Sequence, residues 1–170
     1  VNWCPVSRTA LSDEEVIMKE QKGHLWHFRV AVEGERGRSL TIATTRPETI
    51  PGDTAIAVNP KDPRYASLIG KFAVRPLPPE QPESVLKVTP AHDPADFAIG
   101  QRHRLPAIEV IDETGHMNAA AGEKLAGLDR MKARTGAAEQ LKELGCLEKE
   151  EPYHNQVGFS ERADVPVEPR

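Results

Sequence analysis

Residues 87–97 read KVTPAHDPADF, and this stretch decides how we interpret the rest of the chain. Its first residues continue an apolar run from Val85, as a buried strand prefers, and Pro90 ends that strand. Asp93 stands directly before Pro94, a pair typical of a helix N-cap followed by the first helical residue. We therefore predict a strand, a tight turn and a helix in direct succession.

The predicted turn gathers polar side chains in one small region, namely Lys87, Thr89, His92, Asp93 and Asp96. A purely structural interpretation exists, since Asp93 can cap the helix and Asp96 suits the positive end of the helix dipole. A metal site is the usual alternative for His92 beside an acid. No second His or Cys stands nearby at ligand spacing, so we expect no metal here.

Length and composition restrict the class of protein. The chain has 170 residues, enough for one domain with a real core, and 28% of them are charged. The net charge of −4 argues against a broad basic surface for nucleic acid, although a local basic groove is compatible with it. Two cysteines make no disulfide framework, which favours a reducing compartment. The chain begins at Val1 without a signal-peptide pattern, and we interpret it as a piece of a longer protein.

Short strands outnumber helices in the pattern along the chain. Besides the central strand, strands are predicted at residues 24–32, 39–44, 54–58, 72–75 and 107–111, the first two as a hairpin. A first helix follows Asp93, and a second runs from about Arg130 to Leu144 after Asp129 as its N-cap. The second helix is expected to bury a face formed by Met131, Ala137, Ala138, Leu141 and Leu144.

These elements predict a mixed α/β fold. We expect a partly closed, mainly antiparallel, barrel-like sheet with a few packed helices. Residues from 150 onward carry several prolines and few large apolar groups, which indicates a linker or strands that belong to another domain.

A second dense polar motif, IATTRPET at residues 42–49, follows the end of a predicted strand. One interpretation is a capping box, with Thr45 as N-cap and Glu48 at the third helical position. The other is the polar floor of a binding site, because hydroxyls suit a substrate hydroxyl or ribose and Arg46 suits carboxyl or phosphate oxygens. Spacing alone leaves both interpretations open.

Taken together, the two motifs resemble the editing domain of the valyl-tRNA synthetases, class I aminoacyl-tRNA synthetases. The motifs NWCP at residues 2–5 and GLDR at residues 127–130 agree, and the resemblance covers nearly the whole chain. The editing domains of isoleucyl and leucyl synthetases share the layout, but the Arg-Pro-Glu of the second motif favours the valyl family. The resemblance implies the class I editing-domain fold, with a lead-in at 1–23, a core at 24–149 and returning strands at 150–170.

The resemblance also implies an activity. Threonine nearly matches valine in volume, and an apolar pocket excludes an added hydroxyl poorly, as this family illustrates. In the family, the editing domain therefore hydrolyses the ester of threonine mischarged on the tRNA for valine. The implied partner is the tRNA 3′ acceptor end, and the implied setting is a monomeric fragment in the cytoplasm, without an ATP site, metal or organic cofactor.

Site residues are carried over from the family motifs. Asp96 would bind the substrate ammonium, and the implied catalytic set is Asp96, Thr49 and Asp93. The implied substrate-binding set is Arg46, Thr44, Thr45, Glu48, Lys87, Thr89 and His92. We see no Ser/His/Asp or Cys/His arrangement, so we expect direct attack of water on the ester rather than an acyl-enzyme.

One departure from the family keeps alternatives open. Before the central strand the family normally has a longer segment that ends in Gly-Thr-Gly, whereas residues 79–84 here run directly into Val85. A module that binds the acceptor end with an impaired pocket is therefore the first alternative. An unrelated β-rich interaction domain, with Asp93 and Asp96 as helix-start residues only, is the second.

Overall fold

The computed structural model describes residues 1–59, 61–80 and 88–170. Its strands are β1 (Asn2–Cys4), β2 (Thr9–Leu11), β3 (Val16–Val32), β4 (Ser39–Thr44), β5 (Ala73–Val74), β6 (Leu147–Ser160) and β7 (Glu168–Pro169). Its helices are α1 (Pro94–His103) and α2 (Arg130–Glu143), with 3₁₀ helices at Asp13–Glu15, Pro47–Gly52, Ala66–Leu68 and Ala119–Ala121.

The long strand β3 organises the larger sheet. Its last part forms the predicted hairpin with β4, in which Trp26 lies opposite Thr44. Along its other edge β3 pairs first with β6 and then with β5, and every pairing is antiparallel. The prediction of a mixed α/β fold with antiparallel sheets is therefore confirmed. Among the described strands the sheets stay open and form no closed barrel.

The two ends of the chain pair with each other. β3 begins at Val16 rather than at the predicted residue 24, because its first half pairs with β6 from Ser160 downward. In a smaller sheet, β1 lies between β2 and β7. Residues 150–160 are thus not a linker, since they complete a sheet within this chain. The division into a lead-in, a core and returning strands stays a prediction.

Three predicted strands are wrong or shorter than expected. Residues 54–58 and 107–111 belong to no strand, and Ile111 makes only an isolated bridge to Met117. Their backbone groups bond to irregular segments instead, as when Thr54 N donates to Val88 O at 2.7 Å. The segment at 72–75 contributes only β5. Most of the predicted central strand, residues 85–87, lies outside the described residues.

Both helices begin where predicted. Asp93 Oδ1 accepts the amides of Ala95 and Asp96, and Asp129 Oδ1 accepts those of Met131 and Lys132. Gly145, at φ +66°, follows the end of α2 in the left-handed conformation that glycine adopts without strain. Within the described ranges, no helix is long and apolar enough to cross a membrane.

The buried face of α2 agrees with the predicted one only in part. Ala137 and Leu141 are fully buried as predicted, whereas Met131 and Leu144 are 43% and 44% exposed and the buried Ala133 was not predicted. The side chain of Arg130 is also buried, so the face of α2 that packs against the interior includes Arg130, Ala133 and Ala137. The core that α2 shares with the sheet and loops includes Phe28, Val30, Ile50, Leu77, Val110, Met117, Leu125 and Leu141.

Candidate functional site

The fold brings the two polar motifs into contact. The turn after β4 lies against the turn before α1, and Arg46 Nη1 donates to the carbonyl oxygen of His92 at 3.3 Å. Gly52, at the end of the turn after β4, allows close approach to a third segment, since a Cβ there would lie 2.8 Å from Ile108 O. Residues far apart in sequence thus form one polar region.

Asp93 and Asp96 lie at the start of α1 in different environments. Asp93 is exposed and caps the helix at 2.8 and 3.0 Å from the two amides it accepts. Asp96 is partly exposed, and its Oδ2 accepts the backbone amide of Thr89 at 2.9 Å. This bond fixes the orientation of the Asp96 carboxylate relative to the turn before α1.

Three of the predicted threonines are buried and already bonded within the protein. Thr49 Oγ1 donates to Arg46 O at 2.9 Å, and Thr44 Oγ1 accepts Arg46 N at 3.0 Å. Thr89 Oγ1 donates to Asp53 Oδ1 at 2.5 Å, which adds a carboxylate that the sequence analysis did not select. These hydrogen bonds shape the two turns.

Thr45 is not a helix cap. The N-cap position of the 3₁₀ helix that follows belongs to Arg46, whose side chain makes no cap bond, so the predicted capping box is absent there. Thr45 is partly buried and, with Arg46 and Arg134, lines a cavity of about 330 Å³. Asp93 lines a different cavity of about 440 Å³, beside Phe97.

Arg46 is the centre of a buried ionic network. Its Nε donates to Glu48 Oε1 at 3.2 Å and its Nη2 to Glu168 Oε1 at 2.5 Å. Arg134 binds both oxygens of Glu48, at 2.7 and 3.0 Å, and Arg130 Nη1 donates to Glu168 Oε2 at 2.6 Å. Glu48 is fully buried and Glu168 is 2% exposed, so both carboxylates are paired away from water, whereas the side chains of Arg46 and Arg134 are each 25% exposed.

The network favours the charged forms of Glu168 and Arg46. Burial alone would raise the pKa of Glu168, but Arg46, His92 and Arg130 outweigh it and lower that pKa to about 2. Burial alone would lower the pKa of Arg46, but Glu168 and Glu48 raise it above its ordinary value. Glu48 was predicted to bind substrate, yet the structure commits its carboxylate to two arginines.

His92 belongs to the same network. It is 4% exposed, and its Nε2 accepts the amide of Val110 at 2.9 Å, which assigns the proton of the neutral ring to Nδ1. That Nδ1 lies 3.5 Å from Glu168 Oε1. In the described part of the chain, no group of three or more His, Cys, Asp or Glu side chains is placed to hold a metal ion.

Four residues that contact the predicted site residues or one another were not predicted as site residues from the sequence, namely Glu168, Arg130, Arg134 and Asp53. The spacing of Arg130 and Arg134 on the face of Ala133 and Ala137 was an available signal, since cations on an apolar helix face need buried carboxylates. No local pattern marks Glu168, which follows Val167 near the end of the chain. Lys87, a predicted substrate ligand, lies outside the described residues.

Over nearly its whole length, the chain is similar to proteins named valine–tRNA ligase. It is 52% identical over 182 residues to the one from Parasynechococcus marenigrum (strain WH8102), covering 99% of this chain and 20% of that protein. It is 50% identical over 181 residues to the one from Solibacter usitatus (strain Ellin6076), with 99% and 21% covered.

A third relative gives the same result. Identity to the valine–tRNA ligase of Streptococcus thermophilus (strain CNRZ 1066) is 48% over 183 residues, or 100% of this chain and 20% of the relative. No family model matches the chain. The chain spans about a fifth of the length of the curated relatives it matches. By this similarity, the chain resembles one segment of the valine–tRNA ligases.

Proposed function

We propose that this chain is the editing domain of a valine–tRNA ligase and has the corresponding class I editing-domain fold. Its reaction is hydrolysis of the ester that joins threonine to the 3′ end of the tRNA for valine. The observation that carries the proposal is Asp96, whose partly exposed carboxylate is held by the Thr89 amide at the start of α1. The similarity to valine–tRNA ligases supports the choice of the valyl over the isoleucyl or leucyl reaction.

Asp96 supplies the anchor for the substrate ammonium. An aminoacyl ester carries a free ammonium group, and a carboxylate of fixed orientation attracts it and accepts its hydrogen bonds. Because Thr89 N occupies Oδ2 from the protein side, the carboxylate has a defined direction before substrate arrives. An ammonium bound to this carboxylate holds the neighbouring ester carbonyl in position for attack by water. Such positioning of the reacting groups can contribute much of the rate enhancement.

Selection of threonine over valine requires a partner for the hydroxyl. Asp93 uses Oδ1 to cap α1, and its second carboxylate oxygen can accept the threonine O–H. The hydroxyl of Thr49 can also accept, although it is buried, with an exposure of 3%. Valine would leave such groups without a partner, which costs binding.

In this proposal Arg46 binds groups of the protein and does not bind a phosphate of the tRNA. Two carboxylates neutralise its guanidinium, and its third direction is taken by the carbonyl of His92. The role that remains is to hold the two turns together so that Asp96, Thr49 and Asp93 keep their relative positions.

The proposal is tested by deacylation of threonyl-tRNA and valyl-tRNA, both prepared on the tRNA for valine. The chain should release threonine faster than valine. Asp96→Ala should lower threonine release by ~100-fold or more, because the ester loses its anchor. Asp96→Asn keeps the shape but not the charge and should lose a similar factor, while Glu143→Ala, an exposed change on α2, should leave the rate unchanged.

Two results would contradict the proposal. Full activity of a folded Asp96→Ala variant would remove Asp96 from the site. A folded chain that releases neither amino acid would instead favour acceptor-end binding by an impaired pocket. Binding of uncharged tRNA, measured by gel shift, would then be the next measurement. This alternative has support in the alignment length of 183 residues, which exceeds the 170 residues here and leaves residues of the relative without a counterpart.

A further inference from the structure

We propose that Glu168 is a positioning residue of the editing site, which fixes Arg46 and the turn at His92 relative to each other. This inference rests on the proposed function. Glu168 lies on β7, 119 residues after the end of the motif at 42–49 and 71 residues after the end of the motif at 87–97. Its side chain enters the region between the two motifs.

The two carboxylate oxygens of Glu168 have separate tasks. Oε1 accepts Arg46 Nη2 at 2.5 Å and faces His92 Nδ1 at 3.5 Å. Oε2 accepts Arg130 Nη1 at 2.6 Å, and Arg130 also donates to Pro166 O. One carboxylate therefore ties the turn after β4, the turn before α1 and the first residue of α2 to a single point.

The backbone of Glu168 is itself fixed. Glu168 pairs with Trp3 in the antiparallel ladder between β7 and β1. Ser160 N and Val165 O close the turn between β6 and β7. A side chain that extends from a hydrogen-bonded strand holds its partners more firmly than one on a free loop.

Arg46 transmits this position to the site. Its backbone amide and carbonyl are bonded to Thr44 Oγ1 and Thr49 Oγ1, and its Nη1 is bonded to the carbonyl of His92, directly before Asp93. A shift of Arg46 would therefore move both turns of the site. A displacement of about 1 Å in a catalytic arrangement can lower a rate ~100-fold.

Glutamine cannot replace Glu168 in this role. Its amide has one acceptor oxygen and two N–H donors, so at least one of Arg46 and Arg130 would face a donor instead of a carboxylate oxygen. Both guanidiniums would also lose their shared counter-charge in a region that is largely shielded from water.

The first experiment measures single-turnover release of threonine and the apparent KM for threonyl-tRNA. Glu168→Gln should slow release by about 10- to 100-fold and change KM by less than about 3-fold, since Glu168 does not touch the substrate. Glu35→Gln is the matched control, because Glu35 forms a glutamate–arginine pair with Arg38 in the turn between β3 and β4, at the end of β4 opposite to the motif at 42–49. It should leave the rate unchanged. An unchanged rate for a folded Glu168→Gln variant would overturn the proposal.

A double-mutant cycle tests whether Glu168 acts through Arg46. In a chain that already carries Arg46→Gln, the further change Glu168→Gln should lower the rate by less than about 3-fold. Rate losses that multiply in full would mean that Glu168 acts independently of Arg46, which would refute the inference. If Glu168→Gln does not fold, Glu168→Asp takes its place in the same cycle, because it keeps the charge but shortens the reach.

A third readout separates this inference from the proposed function. The Arg46 side-chain N–H signals, assigned in nitrogen-15 spectra with Arg46→Lys, should exchange with water at least about tenfold faster in Glu168→Gln. If the folded wild-type chain releases no threonine, the editing proposal fails, and this exchange rate alone decides whether Glu168 holds Arg46. Unchanged exchange would exclude the positioning role.

Discussion

At the scale of single residues, the unusual feature is a pair of glutamates placed in the interior. Glu48 and Glu168 are 0% and 2% exposed, and each accepts hydrogen bonds from two arginines. Removing two such charges from water is costly, and apolar residues of similar volume often stabilise a fold equally well. The arrangement therefore favours a role in defining geometry, as we propose for Glu168, over a role in stability alone.

The lowered pKa of Glu168 predicts acid sensitivity. Its folded pKa of about 2 lies below the ordinary value of 4.5, so its contribution is present above about pH 4.5 and is lost as the pH falls toward 2. This contribution is on the order of 3 kcal/mol of unfolding free energy. Urea unfolding at pH 7, 4 and 3 should show a steeper loss for wild type than for Glu168→Gln. Glu35→Gln is the control and should lose stability as wild type does. Equal losses of unfolding free energy in wild type and in Glu168→Gln would contradict this prediction.

Gly52 predicts a local steric effect. A Cβ at this position would lie 2.8 Å from the backbone oxygen of Ile108, so Gly52→Ala forces the turn away from its neighbour. We expect a loss of about 1–3 kcal/mol in unfolding free energy, which corresponds to a fall of several degrees in Tm. Gly23→Ala is the matched control, since its nearest contact is an ordinary 3.9 Å from Tyr153 O. Equal melting temperatures for both variants would show that the turn adapts freely.

At the scale of elements, the starts of the two helices could be predicted from nearby residues, whereas the pairing of strands could not. The helix starts at Asp93 and Asp129 were predictable because a cap and its amides lie within three residues of each other. The apolar runs at 54–58 and 107–111 resemble strands equally well, but a strand also needs a partner, and here none pairs with them along a ladder among the described residues. Glu168 escaped prediction for the same reason, since its partners lie far away in sequence.

The start of α1 allows the structural and chemical roles of Asp93 to be separated. Asp93→Asn keeps an oxygen that accepts the Ala95 and Asp96 amides, so it should preserve stability, whereas Asp93→Ala should lose about 1 kcal/mol. If the carboxylate also recognises the threonine hydroxyl, both variants should lose preference for threonyl-tRNA over valyl-tRNA. Thermal unfolding and the two deacylation rates measure these effects. An Asn variant with unchanged preference would leave Asp93 as a cap only.

At the scale of the whole molecule, the ends of the chain complete its interior. β3 and β6 pair from Val16 opposite Ser160 to Phe28 opposite Leu147, and β1 pairs with β7. The region selected from the sequence as a core, residues 24–149, contains both polar motifs but not Glu168. A domain boundary at residue 149 keeps both motifs together, but it separates Arg46 and Arg130 from the carboxylate of Glu168 that they share.

This topology predicts that residues 24–149 alone are unstable. Removing Glu168 leaves Arg130, whose side chain is 7% exposed, without its carboxylate, which typically costs about 3–5 kcal/mol. The fragment also loses the antiparallel pairing of residues 16–23 with residues 153–160. Near-ultraviolet circular dichroism and urea unfolding should show a weakly folded or unfolded fragment. A chain of residues 2–169, which keeps both sets of end strands, should lie within about 1 kcal/mol of the full chain. If the 24–149 fragment unfolds with the same midpoint as the full chain, then the ends only connect this domain to the rest of its protein, and Glu168 is dispensable for its interior.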